Sequence, residues 1–179
     1  MILILLADGF EEIEALTPLD VLRRAGLEVK TVGISGKFAT GSHGIRVECD
    51  ITADEAMGIV PELVIFPGGM PGAVNLDAAP LTDTLIEKTL ASGGRLAAIC
   101  AAPLVLGRRG LLRGKRAVCY PGFESELIGA NASSLPVVTD GNITTARGMG
   151  AALDFALELT SLLTSRDISE KIATSIIKA

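Results

Sequence analysis

The sequence is poor in aromatic residues, with no Trp, one Tyr and five Phe. Stacking platforms for nucleic-acid bases are therefore scarce. Lys and Arg are scattered, and no basic stripe lies behind the net charge of −5. Nucleic-acid binding is disfavoured as a main function. There is one histidine, His43, and the three cysteines Cys49, Cys100 and Cys119 show no C-x-x-C spacing. A zinc site lacks ligands and a disulfide framework lacks pairs, so no metal and no disulfide are expected. No apolar run is long enough to cross a bilayer. Met1–Ala7 is apolar but short, and Asp8, Glu11 and Glu12 follow it, which reads as a buried strand and not a signal peptide. The expected location is the cytoplasm. No Walker motif is present, and Arg147-Gly148-Met149-Gly150 lacks the third glycine of a dinucleotide fingerprint. That segment opens a helix and could bind an anion.

What is present is a chain of 179 residues, 49% hydrophobic and 21% charged. Such a chain suits one domain, 1–179, with a core that needs no crosslink. Its mean hydropathy of +0.48 fits either a large Ala- and Leu-rich core or apolar surface covered by a partner subunit.

Apolar runs of strand length alternate with amphipathic stretches. Strands are expected at Met1–Ala7, Glu28–Gly33, Leu63–Phe66, Arg95–Ile99 and Ala117–Cys119. Phe38–Val47 is expected to hold a short hairpin, and Asp140-Gly141 turns a second one between Val137–Thr139 and Asn142–Ala146. Helices are expected at Glu11–Ala25, Leu81–Ala91, Ala101–Arg109, Glu124–Gly129, Gly148–Leu163 and Ile168–Ile177, with a short one inside Asp50–Gly58. In the first helix Ile13, Leu16, Leu19 and Leu22 are expected to form the apolar face. The alternation predicts an α/β fold, a mostly parallel sheet between two helical layers. Ligands of such folds sit beyond the carboxyl ends of the strands. Three features fall there: Asp8–Glu14, Pro67–Gly72 and Cys100.

Cys100 lies between the strand RLAAI and the helix-like AAPLVLGRR. A strand-to-helix elbow projects its side chain at the top of the sheet. Helix N-terminal N–H groups would favour a thiolate there. The bland alternative is a buried structural cysteine. Glu14, near the start of the first helix, borders the expected apolar face. A desolvated carboxyl at that place keeps its proton and can donate it to a thiolate. Glu11 and Glu12 need no role beyond favourable placement at a helix N-terminus. In Pro67-Gly68-Gly69-Met70 the glycines suit either a backbone donor to an oxyanion or merely a sharp turn. Tyr120, next to Cys119, could reach the same crevice. His43 reads as a solvated loop histidine, and Cys49 as a structural or interface thiol.

LADGFEEIEALTPLDVLRRAG (Leu6–Gly26), VIFPGGMPGAVNL (Val64–Leu76), LAAICAAP (Leu96–Pro103) and TARGMG (Thr145–Gly150) occur in that order. With these motifs the chain resembles the ThiJ/PfpI superfamily, in the clade of the parkinsonism-associated deglycase, over nearly its whole length. The resemblance implies a flavodoxin-like fold and a homodimer. It maps the nucleophile onto Cys100, its carboxylic partner onto Glu14, and oxyanion donors onto the N–H groups of Gly69 and Ala101, with Gly68 and Tyr120 in the pocket. It implies a cofactor-free glyoxalase or deglycase acting on small 2-oxoaldehydes or early glycation adducts, with nucleic acid a partner only as a glycated substrate. It also implies a thiol that oxidises readily to a sulfinic acid held by Glu14, and hence, as an alternative, a non-catalytic redox sensor or chaperone. Many members carry a histidine before the proline that matches Pro121, where this chain has Tyr120. A Cys–His dyad, and the protease activity it would serve, are therefore not supported.

Overall fold

Strand β1 (Ile2–Leu6) sets the layering of the molecule, because its residues are buried on both faces. Leu3 and Leu5 point into one apolar cluster, while Ile2, Ile4 and Leu6 point into another. A strand alternates its side chains with period two, so a strand apolar at every position must be covered on both sides. The computed structural model describes residues 1–178.

After β1 come α1 (Glu12–Arg24), β2 (Val29–Gly33), the hairpin strands β3 (Phe38–Thr40) and β4 (Arg46–Glu48), β5 (Ile51–Thr52) and α2 (Ala53–Ala56). The middle of the chain forms β6 (Leu63–Phe66), α3 (Gly72–Ala78), α4 (Pro80–Ala91), β7 (Arg95–Ile99) and α5 (Pro103–Arg108). Then follow β8 (Arg116–Ala117), β9 (Asn131–Ala132), β10 (Val137–Asp140), β11 (Ile143–Ala146), α6 (Ala152–Leu163) and α7 (Arg166–Ser175). The main sheet has seven strands in the order β10-β11-β7-β6-β1-β2-β5. All neighbours in it are parallel except β10 and β11. Residues of α3, α4 and α5 cover one face, with Leu76, Leu85 and Leu104 in the core. Residues of α1 and α6 cover the other, with Leu22 and Phe155. This is the mostly parallel sheet between two helical layers that the strand–helix alternation predicts, and the flavodoxin-like fold that the resemblance implies.

The order decides where a ligand can sit. From β1 the chain moves outward to β2 and β5, then returns to β6 on the other side of β1. The crevice between β1 and β6 is thus a switch point, and β7 is the next strand over.

Several local expectations change. The buried stripe of α1 is Glu12, Glu14, Ala15, Pro18, Val21 and Leu22, and Ile13 is 47% exposed. The stripe keeps helical spacing but is rotated, because two carboxyls lie on it and polarity hid them from an apolar pattern. Gly72–Ala78 forms a helix where only a loop was expected to end. The expected helix Ala101–Arg109 begins at Pro103, because residues 100–102 form the turn out of β7. Glu124–Gly129 shrinks to one 3-10 turn at Glu124–Glu126. The expected strand Ala117–Cys119 shifts to Arg116–Ala117, which pairs with Asn131–Ala132 outside the main sheet. Gly148–Leu163 opens as a 3-10 turn at Met149–Ala151 before the helix proper starts.

Candidate active site

Adjacent strands β1, β6 and β7 end side by side, so the segments leaving them meet. Cys100 follows β7 with φ = +66°. A non-glycine residue in the left-handed region is strained and persists only where its surroundings hold it. The holders are on either side: the Cys100 N–H donates to the Ala146 carbonyl at 2.9 Å, and the Tyr120 N–H donates to the Cys100 carbonyl at 2.8 Å. The small residues Ala98, Ala101 and Ala102 around the elbow are buried.

The loop after β6 closes on this elbow. The Glu11 N–H donates to the Gly68 carbonyl at 2.9 Å, which ties the start of α1 to the loop. Glu14 Oε2 accepts the Gly68 N–H at 3.0 Å. Gly68 has to be glycine: a Cβ there would stand 2.5 Å from Glu14 Oε2 and 2.6 Å from Cys100 Cβ. Gly69 has φ = +84°, and a Cβ on it would lie 2.4 Å from the Glu11 nitrogen. The backbone N–H groups of Gly69 and Ala101 face the Cys100 thiol closely enough to favour its ionised form. The structure therefore brings Cys100, Glu14, Gly68, Gly69 and Ala101 together. Tyr120 is linked to them through the backbone, with its side chain 51% exposed.

Glu14 is fully buried, and Oε1 is a buried oxygen with no hydrogen-bond partner among the described residues. Burial pushes the carboxyl up to about 7, with the Glu11 charge adding to it, while hydrogen bonds to Cys100 and from Gly68 oppose the rise. Burial also pushes the Cys100 thiol up to about 12, helped by the Glu14 charge and hydrogen bond and opposed by the Gly69 and Ala101 N–H groups. The expectation of a thiolate stabilised by a helix N-terminus is thereby corrected. Helix α5 starts two residues too late and is too short to dominate, and an ionised Glu14 works against a second negative charge. Each group thus shifts the pKa of the other. While Glu14 holds its proton, the repulsion vanishes, and the two N–H donors have only desolvation to overcome.

His43 is not simply solvated. Its Nδ1 lies 3.0 Å from Glu12 Oε2 and 3.4 Å from Glu11 Oε2. The Glu12 hydrogen bond, then the Glu11 and Glu12 charges, raise its pKa. Glu12 is 4% exposed. Burial pushes its carboxyl up, but hydrogen bonds from the His43 ring and from backbone N–H groups outweigh that and hold it at about 2. Glu12 thus fastens the β3–β4 hairpin to α1, and reasoning along the sequence missed it because its partner lies 31 residues away. Glu11, Glu12 and His43 place one ligand atom each within 4.8 Å of the others, the only such group among the described residues. Cys49 and Cys119 are buried, and desolvation first of all raises both thiols to about 11. Cys49 packs inside this chain, as a structural thiol would. Among the described residues no helix is long and apolar enough to cross a membrane.

A mostly parallel α/β sheet with a strained cysteine elbow at its switch point, beside a buried carboxyl, defines a class of cysteine-centred α/β proteins. Within that class the chain belongs to the DJ-1/PfpI family, whose sequence profile matches residues 1–162. It is 33% identical to the dj-1beta protein of Drosophila melanogaster, over 99% of this chain and 96% of that one. A deglycase of Pyrococcus abyssi is 32% identical over 90% of this chain and 98% of its own length. A glutathione-independent glyoxalase of Caenorhabditis elegans is 30% identical over 90% of this chain and 87% of its own. The solved structure of oxidized DJ-1 from Toxoplasma gondii superposes with a TM-score of 0.95 at 33% identity, covering 99% of this chain and 98% of that one.

Proposed function

We propose that the protein is a cysteine-dependent, cofactor-free enzyme of the glyoxalase and deglycase type, acting on methylglyoxal or early glycation adducts. The observation that carries this reading is the placement of Cys100, on its strained elbow, beside the fully buried Glu14 carboxyl, which burial pushes up to about 7. A group with that pKa exchanges protons in both directions at neutral pH. Two relatives named for the same chemistry support the reading.

The steps follow from the geometry. Glu14 and Cys100 hold a single shared proton, and in the tautomer with the proton on Glu14 the sulfur is a thiolate. It attacks the aldehyde carbon of methylglyoxal and forms a C–S bond. The oxygen that gains charge takes the proton from Glu14, while the Gly69 and Ala101 N–H groups stabilise it. Good donors of this kind are worth about 3–4 kcal/mol. Glu14, now ionised, takes the hydrogen of the former aldehyde carbon and returns it to the neighbouring carbon through an enediol. The aldehyde carbon is thereby oxidised to a thioester and the ketone carbon reduced to an alcohol. Water hydrolyses the thioester, releasing lactate and restoring the thiol. Wild type and Cys100→Ser, incubated with methylglyoxal without glutathione, test this. D- or L-lactate from the wild type alone is expected. No lactate from the wild type would sink the reading.

A redox sensor is the second reading, and the unpartnered Glu14 Oε1 favours it. A sulfinate oxygen on Cys100 would give a protonated Glu14 an acceptor. Mild peroxide should then add two oxygens to Cys100, seen in the intact mass. An unchanged mass would remove this reading. A cytoplasmic homodimer with a part in oxidative stress completes the proposal, supported by the exposed apolar side chains of Ile13 and Ile45.

A further inference from the structure

An open groove of about 490 Å³ begins one residue from the peptide groups that hold Cys100. Tyr120 and Pro121 form one side of it, and the turn that follows β11 forms the other, with Gly148, Met149 and Ala151; Pro136 also lines it. Both sides are tied to the cysteine. Tyr120 donates its N–H to the Cys100 carbonyl, and the Ala146 carbonyl, just before this turn, accepts the Cys100 N–H. The Cys100 side chain itself packs on the cluster that contains Ala146 and Ala152. The groove therefore lies beside the elbow, and Tyr120, which lines it, is bonded directly to Cys100 through the backbone.

Its lining is mainly apolar and includes a flat wall. The Tyr120 ring lies against Gly148, where a Cβ would stand 3.3 Å from ring atom Cδ2. Glycine at 148 thus lets the ring lie down. Met149, half exposed, adds a thioether, which packs well against aromatic rings. Asp154 at the far end is engaged by Lys178 at 2.5 Å, and Arg147 stands exposed at the rim. A three-carbon aldehyde would leave most of this space empty, since grooves of this size suit drug-sized ligands.

We propose that this groove is a substrate subsite, and that the enzyme takes 2-oxoaldehydes bearing a planar apolar substituent, an arylglyoxal being the simplest. The proposal rests on the glyoxalase reading and adds the substrate class. The dicarbonyl sits at Cys100 and the aryl group lies on the Tyr120 ring. The chemistry is that of methylglyoxal: the aldehyde carbon is oxidised to the carboxylate, the ketone carbon is reduced to the alcohol, and one water is consumed. Phenylglyoxal gives mandelate.

The test compares initial rates on phenylglyoxal and methylglyoxal, without glutathione, for wild type, Tyr120→Ala, Tyr120→Phe and Gly148→Ala. The readout is the ratio of kcat/KM for the aryl substrate to that for the methyl substrate. In Tyr120→Ala this ratio should fall roughly three- to tenfold, the range of an aromatic pair, mainly through KM for phenylglyoxal. Gly148→Ala, whose Cβ would crowd the ring at 3.3 Å, should lower the ratio in the same direction but by less. Tyr120→Phe should keep it, because the ring face and not the hydroxyl makes the contact. Methylglyoxal turnover with an unchanged ratio in Tyr120→Ala would overturn the subsite alone. Wild type that turns over neither substrate would overturn the glyoxalase reading and the subsite with it.

Discussion

Replacing Glu14 with Gln should change how stability depends on pH in a direction that the structure fixes. The carboxyl moves from an ordinary 4.5 to about 7 on folding, chiefly because it is buried. Below pH 4.5 it is protonated whether the chain is folded or not, so the folded protein bears no charge penalty there. As pH rises through 7 the folded state must either hold a proton that the unfolded chain has released or carry a buried negative charge. Stability is therefore fully present below the unfolded value and is lost as pH rises through the folded one. At about 1.36 kcal/mol for each pH unit between the two values, the loss amounts to about 3 kcal/mol. Urea denaturation at intervals from pH 4.5 to 8.5 would measure it. Wild type should lose about that much across the range, and Glu14→Gln should lose far less. His43, whose pKa is also raised, declines in the same direction, but it is common to both proteins and cancels in the difference. Parallel curves for the two proteins would refute the argument, since they would mean that Glu14 ionises in the fold as freely as in water.

The loop and the hairpin make their own predictions. Gly68→Ala puts a Cβ 2.5 Å from Glu14 Oε2 and 2.8 Å from the Ile99 carbonyl oxygen, so it should cost about 1–3 kcal/mol and abolish lactate formation; a Tm and a rate equal to wild type would contradict the packing. Glu12, held at about 2, contributes stability that is present above its unfolded value and lost as pH falls toward 2. Glu12→Gln should therefore flatten the acid limb of the stability curve between pH 4.5 and 2, followed by circular dichroism, and an unchanged acid midpoint would count against the His43 contact.

Much of this architecture is legible along the chain because it is local. The runs Leu63–Phe66 and Arg95–Ile99 are observed as strands with the boundaries their apolar patterns suggest. The Asp140-Gly141 turn forms its hairpin, with Asp140 paired to Ile143. Turn chemistry and short apolar runs carry their information within a few residues. The α1 face was harder, because its buried stripe includes two glutamates, and an apolar period cannot point to a buried carboxyl. Gly72–Ala78 is hidden for a related reason: two prolines and two glycines lie just before it, a third glycine opens it, and together they read as turn. The short strand β5 pairs with β2 through only two residues, too few to show a period.

The sequence alone determined the strand–helix order, and therefore that Cys100, the loop after β6 and the start of α1 all lie at strand ends. It determined this because each is a property of neighbouring residues. Only the tertiary structure decided what those groups are chemically. Gly68 and Glu14 stand 54 residues apart in the chain and share a hydrogen bond. Desolvation and charge at Cys100 are sums over atoms from β1, β6, β7 and α1, and no stretch of sequence contains that sum. The thiol that reads along the chain as helix-activated is, in the fold, desolvated and set beside a buried carboxyl, and both raise its pKa.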